Sequence, residues 1–217
     1  MSRKETNKYY FSVEGETEQW YLQWLQKQIN NHPESSIKVQ FDIKVEKNPL
    51  KYAKKINALS TIQAVHVFDF EETNNESAFQ TTLDYMKKAE SQTKKVKYQL
   101  AYTNFCFELW IILHKKRFTT SLPNKNAYLV SINSIYNQSF ESLLQYKHKD
   151  NFEKILDKLS IDDVKVAITN AYYLDNKNAD NGNPLIMYRS YQYYRNNPAM
   201  NIHKYIEKIL KDVGLLD

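Results

Sequence analysis

The feature that most constrains this chain is an alternation. Over about the first 115 residues, short β-branched and aromatic runs take turns with longer segments of helical period. Lys8 to Val13 reads as a buried strand, and Gly15 follows it. From Glu16 to Asn30, Trp20, Tyr21, Trp24, Leu25 and Ile29 recur at helical spacing, and Asn30-Asn-His-Pro33 ends the run. Ile37 to Val45 alternates apolar and polar residues, the period of a half-buried strand. Pro49 opens a second helix to about Leu59. Ala64 to Phe70 is a third strand, Glu76 to Gln92 a third helix, Val96 to Tyr102 a fourth strand, and Phe105 to His114 a short apolar helix. The order βαβαβαβα predicts an α/β fold: a parallel sheet of about four strands with right-handed crossovers, flanked by helices.

The second half carries few strand patterns. Segments 125–139, 140–146, 150–159, 161–174 and 201–213 read as mostly helical, and Asn176 to Pro184 as a loop. This divides the chain into an α/β domain over residues 1–116 and a helical carboxyl-terminal region over 117–217 packed on it.

Hydrophobic residues make up 42% of the chain and aromatics 14%, enough for a core, so a disordered chain is excluded. No run approaches the length of a membrane-spanning helix, and the first residues lack an apolar leader core. With one cysteine, Cys106, no intrachain disulfide forms, which fits a reducing compartment. A cytoplasmic location with no membrane partner is the expectation. The net charge of +5 is compatible with a polyanionic partner.

In doubly wound sheets, ligands sit at the carboxyl ends of strands where the strand order reverses. With the order 2-1-3-4 that point falls between the first and third strands. The first ends in Val13-Glu14-Gly15 and the third in Phe68-Asp69-Phe70-Glu71-Glu72. On an extended strand Asp69 and Glu71 share a face, with Glu72 turned away. Glu18 falls in the first turn of the following helix, and Gly15 permits a tight turn. The expected cluster is Glu14, Glu18, Asp69 and Glu71. Such carboxylates repel unless a cation or protons neutralise them, and hard oxygen ligands suit Mg²⁺ or Mn²⁺. Acids near helix starts also complement helix dipoles, which explains several of them singly. Glu14 and Asp69 resist that explanation, because each ends an apolar strand.

At these residues the chain resembles the RloB-like family, a branch of the Toprim proteins. Phe11-Ser-Val-Glu-Gly-Glu-Thr-Glu18 resembles its opening Glu-Gly-x-Thr-Glu, and Val67-Phe-Asp-Phe-Glu71 stands where it has Asp-x-Asp. Thr103-Asn-Phe-Cys-Phe-Glu-Leu-Trp110 resembles its Ser-Asn-Pro-Cys-Phe-Glu-Leu-Trp. Tyr146-Lys-His-Lys149 resembles its Tyr-x-Lys, and Asn197-Pro-Ala-Met200 its terminal Asn-Pro-Ser-Thr. The resemblance implies a Toprim-type sheet with Glu14 in acid–base chemistry or metal binding. It implies Mg²⁺ on Asp69 and Glu71, and metal on Glu18. It also implies nuclease action on nucleic acid, with an AAA/ABC-type ATPase partner, in abortive anti-phage defence. Two departures stand out: Glu71 replaces the second aspartate, and Phe105 replaces the proline.

Other residues read as follows. Glu108 opens an apolar helix, where it can complement the dipole; the resemblance makes it a support for the site from behind the fourth strand. Cys106 reads as a small buried residue, and His66 and His114 as structural. Lys147, Lys149, Arg189, Arg195 and Lys204 lie among tyrosines, a mixture that suits unpaired nucleic acid or an amphipathic core. Lys149 is singled out as a phosphate contact or supporting catalytic lysine. The function expected is metal-dependent phosphodiester cleavage, with RNA such as tRNA ahead of DNA. The alternative is a catalytically silent interaction subunit regulated by a partner ATPase. A homo-oligomer is compatible with either.

Overall fold

The computed structural model describes residues 5–58, 60–71 and 76–217. The elements run β1 (Thr6–Val13), α1 (Glu16–Asn31), β2 (Lys38–Val45), α2 (Pro49–Lys55), β3 (Ile62–Asp69), α3 (Glu76–Thr93), β4 (Val96–Asn104) and α4 (Glu108–Leu113). The second half adds α5 (Tyr128–Tyr136), α6 (Leu143–Tyr146), α7 (Lys149–Leu156), α8 (Ile161–Asp180), β5 (Leu185–Tyr188), β6 (Tyr191–Tyr194), β7 (Ala199–Met200) and α9 (Ile202–Asp212). Among the described residues no helix is long and apolar enough to cross a membrane.

The expected α/β architecture is present. The sheet order is β2-β1-β3-β4-β7, parallel except for β7. Residues alternate between the two faces of each strand. Val67 and Ala101 join Phe11 and Val13 in one core, shared with α1, α4, α5, α8 and α9. Phe68, Leu100 and Tyr102 turn the other way, into a core shared with α2, α3 and the β5–β6 hairpin. The carboxyl-terminal helices therefore bury their apolar stripes on the same sheet face as α1.

Local chemistry explains the element ends. Asn48 caps α2 by accepting from the Leu50 and Lys51 N–H groups at 3.0 and 3.3 Å, and Pro49 takes the first helical position. Ser160 and Asp163 form a reciprocal capping box at the start of α8. Asn137 closes α5 in the left-handed conformation.

The second half departs from expectation in two places. The segment expected as a loop from Asn176 is helical to Asp180, because the buried Asn178 is tied to the Pro198 carbonyl at 3.0 Å. Tertiary contact there overrides an Asn-rich composition. Residues 185–188, 191–194 and 199–200 form strands, where few strand patterns were expected. The β5–β6 turn is made by Arg189 and Ser190, with φ of 52° and 76°. That is the backbone a tight hairpin needs, reached without the usual Asn-Gly signal. The second helix ends at Lys55, and Leu59 lies outside the described residues.

Candidate metal centre at the carboxyl edge

The register brings the acids together. Val13 pairs with Val67, and Asp69 pairs with Thr103. The Glu14 N–H extends the ladder to the Val67 carbonyl at 3.0 Å. From β1 the chain order runs to β2 on one side and β3 on the other, so Glu14 and Asp69 flank the point of reversal. Glu14 Oε2 accepts from the Asp69 N–H at 3.2 Å, and Glu14 Oε1 lies 3.2 Å from Lys47 Nζ. The Thr103 hydroxyl donates to Asp69 Oδ1 at 2.6 Å. A cleft of about 250 Å³ opens here, bordered by Glu14, Lys47, Asp69 and Glu71 and walled by Phe68, Phe70 and Phe79.

A second tier of charge lies beneath the cleft. Glu18, in the first turn of α1, is 5% exposed, and its Oε2 has no hydrogen-bond partner. Burial pushes its carboxyl up to about 7, with the negative charges of Glu108 and Glu14 adding to the effect. Glu108, the first residue of α4, is fully buried. It faces Lys147 Nζ at 3.2 Å, yet neither carboxylate oxygen makes a well-aligned hydrogen bond. Asp69 is raised well above the usual carboxylate range by desolvation, then by Glu18 and Glu108, against the opposing pull of Lys147 and Thr103. Desolvation alone would lower Lys147; Glu108, Asp69 and Glu18 outweigh it and hold the ammonium charged.

The structure separates the expected site residues. Glu14, Asp69 and Glu71 border one cleft; Glu18 and Glu108 act on it from below through their fields. Glu71 does not lie on an extended strand with Asp69. β3 ends at Asp69, and Glu71 takes a φ of 60° while its N–H bonds to the Phe105 carbonyl at 3.0 Å. Its side chain faces Lys125 at 3.8 Å. Glu72 lies outside the described residues. Gly15 is needed for space rather than for an unusual turn. Its φ is −140°, and a Cβ there would stand 3.0 Å from Glu18 Oε2. The peptide bond before Phe105 is cis, as is that before Pro198.

Lys149 opens α7, is exposed, and pairs with Glu153 at 3.8 Å; the lysine that reaches the buried acids is Lys147. Both stood in the same Tyr-Lys-His-Lys block, and only the turn after α6 decides which one points inward. The basic residues farther on are engaged locally: Arg189 with Asp84, Arg195 with Glu76, and Lys204 with Asp175. Cys106 is buried, and desolvation with Glu108 and Asp69 nearby raises its thiol out of the reactive range. His66 accepts or donates at Ser12 Oγ, 2.7 Å away, and burial lowers it to about 3. His114 is bracketed by Tyr21 and the Trp110 carbonyl, and burial lowers it to about 4. Burial disfavours the charged form of both rings; His66 also lines the acidic cleft, and its buried Nε2 has no hydrogen-bond partner among the described residues.

The donors suit a hard cation in kind, being carboxylate oxygens, and in charge, since Glu18, Asp69 and Glu108 face one buried-side lysine. Among the described residues no three His, Cys, Asp or Glu groups converge into a ready ligand set. Closing on an ion therefore requires side-chain rotation, most readily at Glu14, whose partner Lys47 is solvent-exposed.

Fold and site together define an α/β protein with an acidic cleft at the reversal point of a mostly parallel sheet. The family model for RloB-like protein matches residues 9–209, and the chain belongs to that family. No curated protein and no solved structure matches it.

Proposed function

We propose that this chain is a Toprim-type, metal-dependent nuclease that cleaves phosphodiester bonds of nucleic acid, RNA ahead of DNA. The observation that carries the reading is the meeting of Glu14 and Asp69. Residues from distant segments stand one hydrogen bond apart, at 3.2 Å, beside an open cleft. Membership in the RloB-like family supports the reading, and the proposal includes a role in abortive anti-phage defence beside a partner ATPase.

Asp69 and Glu14 would hold Mg²⁺ or Mn²⁺, with Glu71 across the cleft and Glu18 beneath. A bound divalent ion supplies charge neutralisation at the phosphate and an acidified water. The chain's own groups do the rest. Thr103 fixes the Asp69 carboxylate by its hydroxyl. Lys47 at the rim offers a charge to the phosphate backbone. Glu18 holds its proton to about neutral pH and releases it when positive charge arrives nearby.

The test is direct. Purified protein with Mg²⁺ or Mn²⁺ is offered tRNA, single-stranded RNA and DNA of both kinds. Cleavage lost in Glu14→Gln and Asp69→Asn supports the nuclease. The second reading, a silent docking subunit, draws on the left-handed Glu71 and its Lys125 contact. Substrates left intact even with the partner ATPase present, together with tight binding to it, would favour that reading.

A further inference from the structure

The far edge of the sheet carries a second feature. β7 covers only Thr103 and Asn104 of β4. Below that cover β4 is an open edge, and alternate residues of a strand send N–H and C=O to the same side. Tyr102 is one of these: its N–H donates to Asn201 Oδ1 at 2.8 Å, and its carbonyl accepts from the Asn201 N–H at 3.1 Å. Tyr98 is another, and its N–H donates to Glu90 Oε1 at 2.8 Å. Leu100 lies between them and points the same way. Among the described residues, neither its N–H nor its C=O has a partner on that side. Strand addition needs several free donor–acceptor pairs in a row. Here Tyr102 above is fully engaged and the Tyr98 N–H below is taken, so the Leu100 pair stands between two occupied donors, a setting that suits a compact planar group.

A cleft of about 310 Å³ surrounds this pair, bordered by Leu100, Asp175, Tyr191, Gln192, Tyr194 and Lys204. Tyr191 is 7% exposed, and its buried hydroxyl has no hydrogen-bond partner. Tyr191 lines the same cleft as Leu100. Asp175 Oδ1 also lacks a partner, while Lys204 stands at the mouth, 3.6 Å from Asp175 Oδ2. Unpaired buried polar atoms are costly, so the cleft carries more hydrogen-bonding capacity than the protein itself uses.

We propose that this cleft binds a nucleobase. An acceptor and donor side by side on the base, as N1 and N6 of adenine are, would meet the Leu100 N–H and C=O. Tyr191 would supply a further hydrogen bond, Tyr194 an aromatic wall, and Lys204 a charge for the phosphate. The site is distinct from the acidic cleft. Leu100 lies roughly 10 Å down β4 from Thr103 and faces away from β3.

Backbone amide NMR of the intact chain with AMP tests this without reference to cleavage. The Leu100 amide is expected to shift saturably, and 1-methyl-AMP, whose N1 cannot accept, to bind at least about tenfold more weakly. Tyr191→Phe should weaken AMP about fivefold. Gln192→Trp, which fills the cleft from an exposed position, should abolish binding with the fold unchanged. A single-stranded oligonucleotide that shifts the same amide would identify the base of a strand as the source; AMP alone would identify a free nucleotide. If no mononucleotide at millimolar concentration moves the Leu100 amide, or if 1-methyl-AMP binds as well as AMP, the assignment is wrong.

Discussion

The carboxylates bordering the cleft and those beneath it are the same chemical group put to different uses by solvation. Glu14 and Asp69 border the cleft and are held by a few replaceable contacts: Lys47 and the Asp69 N–H for Glu14, the Thr103 hydroxyl for Asp69. Glu18 and Glu108 are buried, poorly hydrogen-bonded, and answered by one ammonium, that of Lys147. The upper pair is free to meet a ligand. The lower pair sets the charge that the ligand feels, and in its absence burdens the fold. Substitutions above should therefore cost activity, and substitutions below should move stability.

The largest effect expected is on cleavage. Asp69→Asn should reduce Mg²⁺-dependent turnover by on the order of 100-fold or more without loss of stability in urea at neutral pH, since desolvation with Glu18 and Glu108 nearby already disfavours the charged Asp69 carboxylate. If Asp69→Asn unfolds the protein instead, the division between the tiers fails. Next comes Lys147→Met, which leaves Glu108 buried without its cation. It should destabilise by about 3 kcal/mol in chemical denaturation, the lysine being partly solvated. Adding Glu108→Gln should restore most of that loss, a recovery that mere loss of packing would not show.

Glu18 gives a pH signature. Its folded carboxyl titrates at about 7, above the ordinary 4.5, so the folded state keeps a proton that the unfolded state has released. Stability present below about pH 4.5 is then lost as pH rises toward 7. Without divalent ions, Glu18→Gln should gain on the order of 1–3 kcal/mol over the parent at pH 8 and almost nothing at pH 4. Thermal melts across that range check it; equal gains at both pH values would assign the effect to packing. The smallest effects belong to exposed pairs. Lys47→Ala and Lys149→Ala should each change stability by less than about 0.5 kcal/mol. A large loss at Lys149 would reveal a structural contact beyond its Glu153 pair.

Much of this was legible in the sequence, for reasons that can be named. Strands such as β3, Ile62–Asp69, are largely buried on both faces and announce themselves by nearly unbroken apolar runs. Their order fixed which ends meet, so the pairing of Glu14 with Asp69 followed from topology alone. The β5–β6 hairpin stayed hidden because Arg189 and Ser190 adopt left-handed backbone without Asn or Gly. The extension of α8 through Asn178 depends on a contact with Pro198 twenty residues on, which no local pattern encodes. Glu71 escaped because strand alternation holds only while the strand lasts, and β3 ends at Asp69. The role of Lys147 at Glu108 was not legible because a short turn after α6, not composition, chooses the inward-pointing side chain.

The account stands on Glu14 and Asp69 holding a divalent ion together. Calorimetric titration of Mn²⁺ into the purified chain measures this without any substrate. The prediction is saturable binding in the parent, lost in Asp69→Asn and weakened in Glu14→Gln, while Lys149→Ala binds as the parent does. Binding that is absent in the parent, or that persists unchanged in Asp69→Asn, would contradict it.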